Sequence, residues 1–142
     1  MAKSFKEFEL YCSMPGIGEN SVALLIAELG NIDRFINNKK LNAYVGIDIR
    51  RYESGTHIGR DHINKRGNAR ARKLLYVIVK NMIKCQHSSP NHIVEYYYKL
   101  KKQPYPKADK VATIACCNKL LKCLFSMNKH ETLYNYELAL CN

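Results

Sequence analysis

Carboxylates are scarce in this sequence, twelve Asp and Glu against 23 Lys and Arg, with no D-x-D or comparable pair in an apolar strand. A nuclease that holds its own magnesium needs clustered carboxylates, so no metal site is expected from this chain by itself. Glycine and proline are also few, seven and four in 142 residues, while 46% of residues are hydrophobic. That balance excludes a generally disordered chain and predicts a helix-rich globule. No run of about 18 apolar residues occurs. Nor does a charged start lead into an apolar stretch and a small-residue cleavage site, so neither a membrane span nor secretion is expected, and the cytoplasm is the expected location. The six cysteines (Cys12, Cys85, Cys116, Cys117, Cys123, Cys141) form no C-x-x-C pair. They read as small reduced core residues rather than a disulfide or metal framework. Among the histidines, His57 and His62, like His87 and His92, are five apart across turn-like sequence, which is poor zinc spacing.

What is abundant is positive charge, +11 with a pI near 9.4. Nucleic acid is the commonest partner of such a surface, and an acidic membrane surface is the rival. Six of the seven arginines fall between Arg50 and Arg72, although lysine outnumbers arginine sixteen to seven. Only guanidinium offers a planar fork that grips phosphate bidentately at any working pH, so arginine here suggests that phosphate geometry matters. Ser54, followed by Gly55, is the one serine in that segment. An isolated Ser-Gly is most often a turn. Here Arg50 and Arg51 precede it and Arg60 follows, so arginines could stabilise the charge that develops on a phosphodiester under in-line attack by the serine hydroxyl. Glu53, Asp48, Asp61, His57 and His62 are all available as the base, and spacing does not choose among them.

The periodicity predicts a mainly α protein: a helical bundle with an N-terminal helix-hairpin-helix and an irregular basic loop before a long helix. Phe5, Phe8 and Tyr11 share one helical face, Met14-Pro15-Gly16-Ile17-Gly18 interrupts, and Val22, Leu25, Ile26 and Leu29 resume the pattern up to Gly30. In such a turn Pro15, Gly16 and Gly18 would let the backbone approach a phosphate, with the next helix presenting its positive end. An ordinary αα-corner would use the same residues merely to turn. A short helix near 39–45 follows, with Leu41, Tyr44 and Val45, ending at Gly46. Between Arg50 and Lys73 basic residues and glycines outnumber aliphatics, so little there can build a core and an exposed loop or irregular hairpin is expected. Gly67 and Asn68 then open a helix to about Gln86, with Ala71, Leu74, Leu75, Ile78, Met82 and Cys85 on one face and Arg66, Arg70 and Lys73 on another. Backbone N–H groups and side-chain charge would combine there to attract phosphate. After Pro90 a helix carries Ile93, Tyr96, Tyr97 and Leu100. The stretch from Asp109 to Met127 is apolar on nearly every side, as the middle helix of a bundle is. The expected division is one domain over 1–142: helix-hairpin-helix about 4–30, Ser-Gly loop about 46–66, helical core about 67–128 and tail 129–142.

The succession PGIG, AYVGIDIRRYESG, HINKRGNARARKLLY and KVATIACCNKLLKCLF, over roughly residues 12–127, resembles the C-terminal transposase domain of the DEDD-type, bridge-RNA-guided insertion-sequence transposases. In that family the serine of the Ser-Gly motif attacks a DNA phosphodiester and becomes linked to it, while an N-terminal RNase H-like domain with four acidic residues holds metal beside it. The resemblance assigns the nucleophile to Ser54 and its following glycine to Gly55. It matches Lys65, Arg66, Gly67 and Asn68 to the basic turn, and Lys119-Leu120-Leu121 to a late-helix motif. Ile49, Glu53 and Ala71 stand where the family commonly has proline, glutamine and leucine, and a glutamate beside the nucleophile repels phosphate. The acidic domain is not expected in this sequence, so magnesium would belong to a partner domain and the chain alone would be inactive. DNA, a guide RNA and a homo-oligomer of the full-length protein are the implied partners. The alternative is a non-catalytic nucleic-acid-binding module or an inactive remnant.

Overall fold

The computed structural model describes residues 6–141 apart from 48, 51–52, 55–56, 59–61, 64–65 and 103, and for 49–50, 53–54, 57–58 and 62–63 it describes the backbone pairing. The chain is mainly helical: α1 (Lys6–Cys12), α2 (Glu19–Leu29), a 3-10 turn (Ile32–Arg34), α3 (Asn38–Val45), α4 (Ala69–Lys84), α5 (His92–Lys102), α6 (Asp109–His130) and α7 (Tyr136–Leu140). Between α3 and α4 lie four two-residue strands, β1 (Ile49–Arg50), β2 (Glu53–Ser54), β3 (His57–Ile58) and β4 (His62–Ile63). No helix among the described residues is long and apolar enough to cross a membrane.

α6 forms the axis of the bundle and packs against α1, α3, α4, α5 and the 3-10 turn. At 22 residues it is about 33 Å long. Small and medium side chains, Ala112, Cys116, Cys117, Leu120, Leu121 and Leu124, are all buried on it, which lets neighbours approach from several sides. Val111, at its start, is exposed. Lys80 of α4 pins that start with its ammonium 2.6 Å from the Asp109 carboxylate, which also accepts a 2.6 Å hydrogen bond from the Tyr97 hydroxyl. The apolar faces of α2 (Val22, Leu25, Ile26, Leu29) and α4 (Ala71, Leu75, Ile78, Val79, Met82) are buried, with α2 packed on α4 and α1, and α4 on the axis.

Burial pushes the thiols of Cys116 and Cys117 up to about 12 and that of Cys123 to about 11, so these three are packing groups rather than thiolates. The expectation of core cysteines fails at Cys85 and Cys141, which are exposed. α4 ends at Lys84, and Cys85 becomes its C-cap outside the core face. No group of three or more His, Cys, Asp or Glu able to hold a metal occurs among the described residues.

The chain after α6 is held rather than frayed. The Tyr134 hydroxyl accepts from the His92 backbone N–H at 3.2 Å and lies 2.8 Å from His92 Nδ1, while the Tyr134 N–H donates to Ser13 Oγ at 2.9 Å. Burial, with the Lys119 ammonium nearby, lowers the His92 imidazole to about 4. In the unfolded chain it titrates near 6.5, so between these values the unfolded state binds more protons and stability falls as pH falls. The contribution is complete above pH 6.5 and lost as the pH passes through about 4. Allowing for relaxation around this buried ring, it amounts to roughly 1–2 kcal/mol. Thermal melts from pH 7.5 down to 4 should show that slope, and His92→Gln should flatten it; an unchanged slope in the variant would assign the acid sensitivity elsewhere.

Candidate nucleic-acid interface

Three helix ends converge where the arginine segment leaves and rejoins the bundle. The C-termini of α2 and α3 present carbonyls without intrahelical partners, and the N-terminus of α4 meets them. Two arginines satisfy those carbonyls: Arg34 donates to Leu29 O at 2.9 Å and Arg72 to Val45 O at 3.1 Å. The Arg34 guanidinium also lies 4.6 Å from the Phe35 ring centroid and 4.8 Å from that of Tyr44. Tyr44 donates its hydroxyl proton to Glu28 O at 3.2 Å, tying α3 to α2.

Asn68 completes the junction. Its side-chain oxygen accepts from Arg70 N and Ala71 N at 3.0 and 3.1 Å, capping α4. Its backbone N–H donates to Tyr44 O at 2.8 Å, and its Nδ2 donates to Glu28 Oε2 at 3.0 Å. Gly67 lies so close to the end of α3 that a Cβ there would sit 2.6 Å from Gly46 N, Tyr44 O and Val45 C.

Beyond this base lies a ribbon segment of two separate antiparallel strand pairs. Ile49 pairs with Ile63 and Arg50 with His62; further along, Glu53 pairs with Ile58 and Ser54 with His57. Ser54 and His57 are thus Cα partners in the second pair, the one farther along the chain from the junction on both sides. For Arg50 and Ser54 the description stops at the strands, and Arg51, Gly55, Arg60 and Lys65 lie outside the described residues.

The six clustered arginines therefore do not share one role. Arg72 is a structural link to α3, whereas Arg66 and Arg70 are exposed, with Lys73, at the start of α4. Two of the first backbone N–H groups of α4 are occupied by Asn68, so attraction of an anion there rests on side-chain charge and the helix dipole. The structural arginines could not be told from the exposed ones by composition. Their signal is position: Arg72 lies one turn into a helix that begins beside another helix's C-terminus.

The Pro15–Gly18 turn sits at the opposite end of α4. Gly16 packs on Met82, and the buried Asn91 donates from Nδ2 to Pro15 O at 3.0 Å. From Met82 to the start of α4 is roughly 20 Å along the helix. Ile17 is buried; Gly18, the N-cap of α2, is exposed, and no side chain caps that end. Asn91, missed in the sequence, has a visible signal: it follows Pro90 and caps the helix start by accepting from Ile93 N at 2.9 Å. Lys119, matched to a late-helix motif, is placed against α5, with its ammonium 4.7 Å from the centroid of the Tyr96 ring.

Residues 9–97 match the family model described as the Transposase IS116/IS110/IS902 family, and the chain belongs to this family. The match takes in the Pro-Gly turn, the junction, the ribbon and α4, and ends inside α5. A stretch of 75 residues is 32% identical to the transposase for insertion sequence element IS1111A of Coxiella burnetii (strain RSA 493 / Nine Mile phase I). That alignment covers 53% of this chain and 21% of the relative, so the chain spans about a fifth of that protein's length.

Proposed function

We propose that this chain is the serine-bearing, DNA-contacting part of an insertion-sequence transposase, with Ser54 as the nucleophile for strand cleavage. The observation that carries the reading is the ribbon. It holds Ser54 opposite His57 in its second strand pair, lies beyond a braced base, and belongs to a segment rich in arginine. Ser54 Oγ would attack phosphorus in line: the new Oγ–P bond forms as a bridging P–O bond breaks, the hydroxyl proton passes to a base, and the departing oxygen takes up a proton. Arg50, Arg51 and Arg60 would stabilise charge on the equatorial oxygens. Arg66, Arg70 and Lys65 beside Gly67, together with the helix-hairpin-helix turn at Pro15, Gly16 and Gly18, would grip backbone phosphates without reading bases. The described residues offer no magnesium site, so on this reading the metal is held by a separate acidic RNase H-like domain, with a guide RNA and further protomers completing the assembly.

The decisive experiment combines the chain with such an acidic domain, guide RNA, magnesium and target DNA. A denaturant-resistant protein–DNA adduct is expected, reduced by at least about 100-fold in Ser54→Ala, while duplex binding changes by less than about twofold. Equal adduct from Ser54→Ala would remove the nucleophile assignment. The rival reading, a binding module without chemistry, is favoured by Glu53, which adjoins Ser54 and would repel phosphate. It predicts no adduct from either protein, with duplex affinity that falls steeply as salt rises.

A further inference from the structure

A cavity of about 860 Å³ opens between α5, α6 and the segment that follows α6. Its volume is within the range of sites that enclose small organic ligands, about 300–1,000 Å³. Lys119, Lys122 and His130 line it from α6, and no aspartate or glutamate is among its lining residues. Along α6 these three side chains span roughly 16 Å. Tyr96 of α5, with the Lys119 ammonium 4.7 Å from its ring centroid, contributes an aromatic wall, and Leu133 and Leu138, each 62% exposed, contribute an apolar one.

The second wall is built, not incidental. Tyr134 is clamped to His92 and Ser13, and the Asn135 side chain caps α7 by accepting from Glu137 N at 3.0 Å and Leu138 N at 3.3 Å. Tyr134 and His92 stack, with ring centroids 5.5 Å apart. The cavity therefore combines fixed apolar and aromatic walls with two lysine ammonium groups and the His130 ring, and the nearby Glu95 acts on His92 and Tyr134 without lining the cavity itself. A ligand suited to it has a flat apolar body and carries negative charge.

We propose that this groove binds unpaired nucleotides of a single strand, seating a base between Tyr96 and the Leu133–Leu138 wall with its phosphates along Lys119, Lys122 and His130. A paired base cannot enter such a cavity, because its faces are covered by its neighbours. An unstacked base loses nothing by doing so and gains contact with an aromatic or apolar surface. The groove lies on the α5–α6 side of the bundle, so it takes a strand other than the phosphates assigned to the start of α4. This rests on the reading of the chain as a nucleic-acid-handling protein and extends it to a second site. A guide RNA and a DNA strand displaced from its duplex share the required chemistry.

Fluorescence anisotropy with the full chain tests this, using a 12-nucleotide oligo-dT, the matching oligo-rU and a blunt DNA duplex at fixed salt. Lys122→Glu is expected to weaken both single strands at least tenfold and the duplex less than twofold, whereas Arg70→Glu should do the reverse. Tyr96→Leu should weaken single-strand binding about fivefold with an unchanged melting temperature, through loss of stacking. Tighter binding of oligo-rU points to RNA as the occupant and tighter binding of oligo-dT to a displaced strand; either supports the site. Single-strand affinity that Lys122→Glu and Tyr96→Leu leave unchanged overturns the groove, as does an equal loss on all three probes. Duplex binding with no single-strand binding by the unaltered chain also overturns the groove alone, and failure to bind any probe overturns the nucleic-acid reading as well.

Discussion

Gly67→Ala is expected to destabilise the protein by about 3 kcal/mol, lowering the melting temperature by roughly 10 °C. The added methyl would sit 2.6 Å from three backbone atoms at the end of α3, Gly46 N, Tyr44 O and Val45 C. Backbone atoms cannot rotate aside as a flexible side chain can, so the two segments must separate. Separation would stretch the 2.8 Å bond from Asn68 N to Tyr44 O and the 3.1 Å bond from Arg72 to Val45 O. Because the ribbon starts and ends near these contacts, the proposed DNA-contacting role predicts that the variant also loses duplex affinity more than its stability loss alone explains. Calorimetry and duplex titration below the melting transition separate the two effects. A melting temperature within about 2 °C of the original protein would show that the junction is loose and does not brace the ribbon.

The second large effect divides two glycines that look alike in the sequence. Gly16 has φ of +86°, and a Cβ on it would lie 2.9 Å from the Met82 Cα. Gly16→Ala should therefore cost about 2–4 kcal/mol through strain and overpacking. Gly18 has φ of −79° as the N-cap of α2, and a Cβ there meets nothing within 4 Å. Gly18→Ala should cost under about 1 kcal/mol. If the turn approaches duplex backbone, the Gly18 methyl should lower duplex affinity by roughly three- to tenfold with little change in melting. Unchanged duplex affinity in Gly18→Ala would leave the turn as an αα-corner whose glycines serve packing alone.

Periodicity made most of the helical frame legible. Val22, Leu25, Ile26 and Leu29 repeat at helical spacing and are buried together, and Gly30 follows α2 as its C-cap. The apolar run from Asp109 gave α6 its central place for the same reason: no polar stripe was available to face water. Other features depend on partners distant in sequence. The 3-10 turn at Ile32–Arg34 is too short to show a period. The arginine cluster was visible as composition, but its division into bracing and exposed members follows from where α3 ends against α4. The helical period carried one residue too far puts Cys85 on the core face, whereas α4 stops at Lys84 and leaves it exposed. The separation of the Pro-Gly turn from the basic start of α4 follows from α2 and α4 packing antiparallel, which local pattern does not report. The groove beside α6 arises only when the Tyr134 hydroxyl meets His92, 42 residues away.

The closeness of Gly46 and Gly67 has a consequence for how this protein can change over generations. The chain departs from the bundle and re-enters it at touching residues, so the folded core does not depend on how many residues lie between. Doubling the length of an intervening loop changes its closure entropy by only about 0.6 kcal/mol. Insertions, deletions and replacement of the strands beyond Ile47, which is itself buried in the core, are therefore tolerable so long as Gly67, Asn68 and Arg72 remain. Selection can thus act on the ribbon as an interchangeable cassette while the bundle that carries it stays constant.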